Sequence, residues 1–215
     1  MGNLKKDMKE FYSSSKPYLN QLKRHNLSVY GKYLDKIRRH ISPGSKILDI
    51  GSGAGQVANF LADKGYDVTG IDISPLFIKE SKKGKAQFKV MDSTSLKFKD
   101  NEFDAVISAE TIEHVLEPWK MLDEAARVIK QKGILILRYP NNQNKLKQFK
   151  TRLSKKPLFE ITLPNLSKDI FGEDEDLCHK ASTADISLYL KKKGFKILES
   201  KPFFWRAGQI VARKQ

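Results

Sequence analysis

From residue 46 onward, short apolar runs rich in β-branched residues alternate with stretches whose apolar positions recur at helical spacing, the rhythm of βαβ units around a parallel sheet. Residues 46–50 (KILDI) read as a first strand, 54–64 as a helix, and 67–72 (DVTGID) as a second strand. A helix over 75–83 follows, with Ser74 as N-cap, Pro75 in the first helical position and Gly84 ending it. Strands over 86–91 and 103–108, a helix over 118–130 closed by Gly133, and a strand over 134–139 continue the pattern. After residue 182 it resumes as a helix over 183–193 ending at Gly194, then strands over 195–200 and 208–213.

Two regions break the rhythm. Residues 140–176 mix prolines, amides and charges with scattered apolar positions, too long a stretch for an idle connection, and read as a lid or insertion. Residues 1–40 read as helices with apolar positions at Leu19, Leu22, Leu27, Tyr30, Tyr33, Leu34 and Ile37, packed on the domain as an appendage and ending at 41–44. The expected division is therefore a helical appendage over 1–40 and an α/β domain over 41–215.

Composition narrows the function. A 215-residue chain that is 40% hydrophobic can bury a core without staples, and its single cysteine, Cys178, excludes a disulfide framework and a zinc ribbon. The apolar runs fall far short of the roughly 20 residues a membrane span needs, and the charged start lacks the apolar core of a targeting signal, so a cytoplasmic setting is expected. The net charge of +15 is concentrated in residues 1–40, with ten basic side chains against Asp7, Glu10 and Asp35, and in residues 141–171, with seven against Glu160 and Asp169. That raises the prospect of a polyanionic partner.

The most specific motif is the run ILDIGSGAGQ over 47–56, a strand leading through Gly51, Gly53 and Gly55 into a helix at Gln56. Gly51 allows the tight turn, Gly53 lets backbone approach a ligand, and Gly55 allows close packing of helix on strand. Dinucleotide sites space these glycines as G-x-G-x-x-G, whereas this chain has G-x-G-x-G with an acid, Asp49, two residues earlier. An anion there repels a pyrophosphate and suits a cationic amino-acid ligand, which favours S-adenosylmethionine, with S-adenosylhomocysteine as product. Asp72, at the end of the second strand, stands where a carboxylate accepts hydrogen bonds from both ribose hydroxyls. Asp92, beside Ser93, can meet the adenine amino group, with Met91 and Ile73 sandwiching the ring; for Asp92 a turn or cap is the competing reading.

With the runs GIDIS, VMDSTSLKF, FDAVISAETIEHV and LDEAARVIKQKGILILRYPN added, residues 41–141 resemble class I S-adenosylmethionine-dependent methyltransferases, closely the type 11 branch that includes ubiquinone-biosynthesis O-methyltransferases. The resemblance implies an α/β fold, a Rossmann-like, doubly wound, mostly parallel seven-stranded sheet with the last strand antiparallel and helices on both faces. It places Asp49, Gly51, Gly53, Asp72, Asp92 and Ala109 around the cofactor. It also implies methyl transfer to a small-molecule acceptor, in the ubiquinone-like branch at oxygen.

Methyl transfer from a sulfonium is an in-line displacement, so alignment and exclusion of water matter most and a base is needed only for a protonated acceptor. Glu110 and His114, four residues apart after the fourth strand, are the candidate catalytic pair and can share one helix face; capping and orienting their loop is the competing reading. Some relatives of this kind, including small-RNA 2′-O-methyltransferases, bind a divalent metal through a similar E-x-x-E-H and a distant histidine. Glu110, Glu113, His114 and His179 would match, but the aromatic residues that usually follow the distant histidine are missing, and no metal is assigned. RNA is the second acceptor class: the basic stretches 145–156 and 24–39 could track phosphates, with Phe149, Tyr18 or Tyr30 for stacking. The acidic run 173–176 and the lack of a recognisable RNA-binding module count against it. The oligomeric state is not legible in the sequence.

Overall fold

The computed structural model describes residues 2–24, 27–140, 153, 160–161, 179–180, 182–201 and 207–215. Its central sheet has the strands β1 (Lys46–Ile50), β2 (Asp67–Asp72), β3 (Gln87–Val90), β4 (Phe103–Ala109), β5 (Ile129–Pro140), β8 (Phe195–Lys201) and β9 (Ala207–Lys214). They lie in the order β3-β2-β1-β4-β5-β9-β8. The first five pair in parallel, and β9 runs antiparallel to both β5 and β8, as the family resemblance implies. A separate two-residue ladder joins β6 (Glu160–Ile161) to β7 (His179–Lys180).

Alternation along the central strands sends side chains to two cores, because successive residues of a strand face opposite sides of the sheet. Leu48 and Ile50 of β1 join Met121 and Leu122 of α6 (Pro118–Val128) and Ile186 and Leu190 of α7 (Thr183–Lys192). Ile47 joins the other face, with Tyr33 and Ile37 of α3 (Gly31–His40) and Val57 and Leu61 of α4 (Gln56–Asp63). Buried on both sides, β1 reads as a near-continuous apolar run, and Asp49 is the exception within it.

Local signals explain most boundaries. Ser74 caps α5 (Pro75–Ser81), its hydroxyl accepting from the Phe77 amide at 3.2 Å, with Pro75 in the first turn. Ser182 and Asp185 form a capping box on α7, and Gly194 at φ +82° follows its end. Two expected helix carboxyl ends fall two residues short. α5 stops at Ser81 rather than 83, because the chain turns before Gly84. α6 stops at Val128, not 130, because Ile129 is already extended and pairs with Phe103. Gly133 does not close that helix. A Cβ there would lie 2.8 Å from the Asp104 and Lys130 carbonyl oxygens, so glycine permits a close backbone approach where β5 re-enters its register with β4.

The amino-terminal residues form α1 (Gly2–Ser14), α2 (Lys16–Arg24), a 3-10 turn at Leu27–Tyr30, and α3. α1 and α2 carry Met8, Tyr12 and Leu19 into a third cluster with Phe77 of α5. Most of the expected lid over 140–176, with the basic run 145–156, the acidic run 173–176 and Phe149, lies outside the described residues, as does Cys178. Among the described residues no helix is long and apolar enough to cross a membrane.

Candidate functional site

The carboxyl ends of β1, β2, β3 and β4 surround a cavity of about 220 Å³. Its floor begins at the glycine turn, where Gly51, Gly53 and Gly55 all have positive φ, at +73°, +52° and +80°. The Gly51 and Ser52 amides donate to the Ile71 carbonyl at 2.8 and 2.9 Å, folding the turn onto β2. A Cβ on Gly51 would stand 2.1 Å from Thr111 Oγ1, so this glycine serves the close approach of the β1 and β4 loops. At Gly55 a Cβ would meet Ser81 and Phe88 at 2.7 and 2.8 Å, which is the helix-on-strand packing expected of it. At Gly53 a Cβ would point into the cavity, 3.4 Å from Leu22 of α2, leaving a cradle for a ligand.

Asp72 lines the cavity beside this turn. One carboxylate oxygen accepts from the Gly53 amide at 3.0 Å and the other from the Ser74 amide at 2.9 Å. Burial pushes its pKa up to about 6 against those donors. Asp49 is buried beneath the turn and is not a lining residue; burial and the charge of Asp72 raise it to about 7. Asp92 lines the opposite end, where one oxygen accepts from the Thr94 amide and hydroxyl, each at 2.8 Å, and the other lies 2.6 Å from Lys5 Nζ of α1. The turn role expected as the alternative for Asp92 is therefore real, and the residue faces the cavity as well.

Of the expected site residues, Gly51, Gly53, Gln56, Asp72, Ile73, Met91, Asp92, Ser93 and Ala109 line the cavity, as do Glu110 and His114. Gly55 does not. Glu110 and His114 do not share a helix face: Glu110 is left-handed at φ +52°, and only a 3-10 turn, Ile112–His114, follows it. Glu110 is ion-paired to Arg138 of β5, whose guanidinium lies 5.2 Å from the centroid of the Tyr30 ring. Glu113 is buried, 3.9 Å from His114 Nε2. Burial, reinforced by Glu110 and opposed by His114, lifts its carboxyl to about 8, so it stays protonated near neutrality. The backbone of β7, which carries His179, runs beside this 3-10 turn. No group of three or more metal-ligating side chains occurs among the described residues.

Sequence reasoning missed the roof as a set of site residues. Lys5, Met8 and Tyr12 of α1 and Tyr18 and Leu22 of α2 line the cavity from above, and Tyr30 closes one side. The Tyr12 ring stands edge-on to His114, with centroids 6.2 Å apart. Gln56 reaches up to the Leu22 carbonyl. The helical spacing of Met8, Phe11 and Tyr12 was the available signal, but it marks a buried face without saying what it covers.

A family model described as a methyltransferase domain matches residues 48–137, the stretch that builds the cavity floor. Over this stretch the chain is similar to class I S-adenosylmethionine-dependent methyltransferases of the type 11 branch. Among its relatives, the 2-methyl-6-phytyl-1,4-hydroquinone methyltransferase of Synechocystis sp. is 34% identical over 141 residues, which cover 63% of this chain and 44% of that protein. A SAM-dependent methyltransferase from Methanosarcina mazei has a TM-score of 0.64 at 25% identity, covering 83% of this chain and 96% of that one. The magnesium protoporphyrin IX methyltransferase of Synechocystis, with bound S-adenosylhomocysteine, has a TM-score of 0.71 at 18% identity, covering 98% and 100%, and shows the shared fold. The chain spans less than half the length of the first curated relatives it matches. The cofactor of this methyltransferase family is S-adenosylmethionine. The Gly53 cradle and the cavity-facing carboxylate of Asp72 fit a ligand that presents hydroxyls and a cationic amino-acid end.

Proposed function

We propose that the protein transfers the methyl group of S-adenosylmethionine to a hydroxyl of a small-molecule acceptor. The observation that carries this reading is the juxtaposition of the Gly53 cradle and the Asp72 carboxylate in one cavity at the carboxyl edge of the sheet. In this reading Asp72 accepts from the ribose hydroxyls, Asp92 and Ser93 meet the adenine edge, and Ile73 and Met91 pack on its faces. Gly51, Ala109 and Gln56 border the amino-acid end, and Asp49 supplies negative charge from beneath the turn. Gly55 acts indirectly, by packing α4 onto the sheet.

The acceptor oxygen attacks the methyl carbon, the carbon–sulfur bond breaks with its electron pair going to sulfur, and the hydroxyl proton must leave. Glu110 and His114 are the cavity-facing groups placed to take it. Glu113 is buried and does not line the cavity, so it is not placed for that task. The apolar roof from α1 and α2 excludes water, which a displacement at a sulfonium requires. A relative that acts on a hydroquinone supports a ring-bearing hydroxyl compound as the first acceptor to screen.

RNA is the second reading, favoured by the exposed basic side chains of α1, such as Lys6 at 75% exposure. The test is calorimetric titration of chelator-treated protein with S-adenosylmethionine, S-adenosylhomocysteine and NAD, with and without Mg²⁺ or Mn²⁺, followed by turnover on hydroquinones and on RNA at graded salt. Binding of the two sulfur compounds and methylation of a small hydroxyl acceptor is the expected result. Binding of NAD alone overturns the cofactor reading. Methylation confined to RNA, falling steeply with salt, replaces the acceptor.

A further inference from the structure

α1 is attached to the floor in two ways. Its carboxyl half is held by burial: Met8 and Tyr12 pack with Phe77, and the Tyr12 carbonyl accepts from the Ser74 hydroxyl at 2.8 Å. Its amino half is tied to the floor through Lys5. This side chain lies 2.6 Å from one oxygen of Asp92 and donates to Thr94 Oγ1 at 2.9 Å, while its own surface remains 43% exposed. Thr94 in turn donates to the other oxygen of Asp92 through its amide and hydroxyl. Burial opposes ionisation of Asp92, but the Lys5 ammonium and the Thr94 donors outweigh it and hold the carboxyl below its ordinary range. Unlike a lysine paired on open surface, Lys5 has a partner that faces the cavity, and Lys5 lines that cavity itself.

We propose that Lys5 is a positioning residue of the cofactor site. It fixes the direction and charge of the Asp92 carboxylate at the adenine end, and it ties α1 across the opening, so that cofactor exchange waits on release of this contact. The inference rests on the cofactor reading above. A half-exposed pair of this kind is weak, so its release is a modest barrier that salt lowers.

The experiment uses the full chain, radiolabelled S-adenosylhomocysteine and two variants. In Lys5→Gln, dissociation of the ligand should quicken about two- to five-fold, and trypsin should cut after Lys6 and Lys9 faster by a similar factor. Lys5→Arg, which keeps the charge and the reach, should restore both toward wild type. Raising salt should quicken release from wild type and leave Lys5→Gln nearly unchanged. Wild-type rates in Lys5→Gln, with the ligand bound normally, overturn the proposal. So does faster release in both variants with a matching fall in melting temperature, because that is loss of structure rather than of a tie. If wild type fails to bind S-adenosylhomocysteine at all, the cofactor reading has fallen and takes this proposal with it.

Discussion

The floor and the roof of the cavity are built by different means. The floor is backbone: glycines in left-handed conformations, amides aimed at Asp72, and loops fixed by the parallel register of β1 with β2 and β4. The roof is side chain. It comes from the amino-terminal helices, well before the glycine turn in the chain, and rests on apolar packing, an ion pair, and hydrogen bonds such as those of Ser74 and Gln56. A floor of this kind tolerates almost no substitution at its turn, whereas a roof held by many weak contacts can shift one contact at a time.

The sharpest break in that contrast is Asp72→Ala, which should lower cofactor affinity by about 2–5 kcal/mol by removing the cavity-facing carboxylate that the proposed reading pairs with the ribose hydroxyls. Calorimetry checks it, and unchanged affinity refutes the ribose assignment. Gly51→Ala should lower folding stability by about 1–3 kcal/mol, since the added Cβ would sit on the Thr111 side chain at a positive φ. Denaturant melts should show part of the loss returning when Thr111→Ser is added.

pH tests the same floor through its buried acids. Asp72, Asp49 and Glu113 have folded-state pKa values of about 6, 7 and 8, above the value of about 4 for free carboxyls. The folded state therefore holds more protons than the unfolded chain between about pH 4 and 8. The contribution of these three acids to the stability of the unliganded protein is fullest below that window and declines as pH rises through it, and Glu113→Gln should flatten the upper part of the decline in a series of thermal melts. Cofactor affinity should run the other way, rising about tenfold from pH 5 to 8 as Asp72 and Asp49 become carboxylates. The smallest effect is expected at the roof. Leu22→Ala, which removes a side chain facing Gly53, should weaken cofactor binding by about 1 kcal/mol and leave the melting temperature nearly unchanged.

This contrast also explains what could be read from the chain alone. Glycine spacing, an acid at the end of β2 and a capping serine are local instructions with local meanings, and the structure places them as expected. The helix end at 128 is not legible in the sequence because strand pairing, a tertiary effect, takes Ile129 out of helical geometry. Arg138 escaped notice because its partner, Glu110, is 28 positions earlier and meets it only through the register of β4 with β5. In the sequence Lys5 is one basic residue among ten in 1–40, and only its contact with Asp92 and Thr94, beyond the end of β3, shows which one faces the site.

The position of β9 has a consequence for how the molecule is made. β5 is complete by residue 140, yet its outer neighbour spans 207–214 and pairs with it across seven registers, from Ile134 with Arg213 to Pro140 with Ala207. During synthesis the parallel strands of the floor, 46–109, can pair while this partner is still unmade. Until residue 214 has been added, β5 presents a bare, apolar edge that any passing strand can template on. The vulnerable interval thus lies between the synthesis of residue 140 and that of residue 214, after the ligand-binding strands are in place and before the sheet is closed.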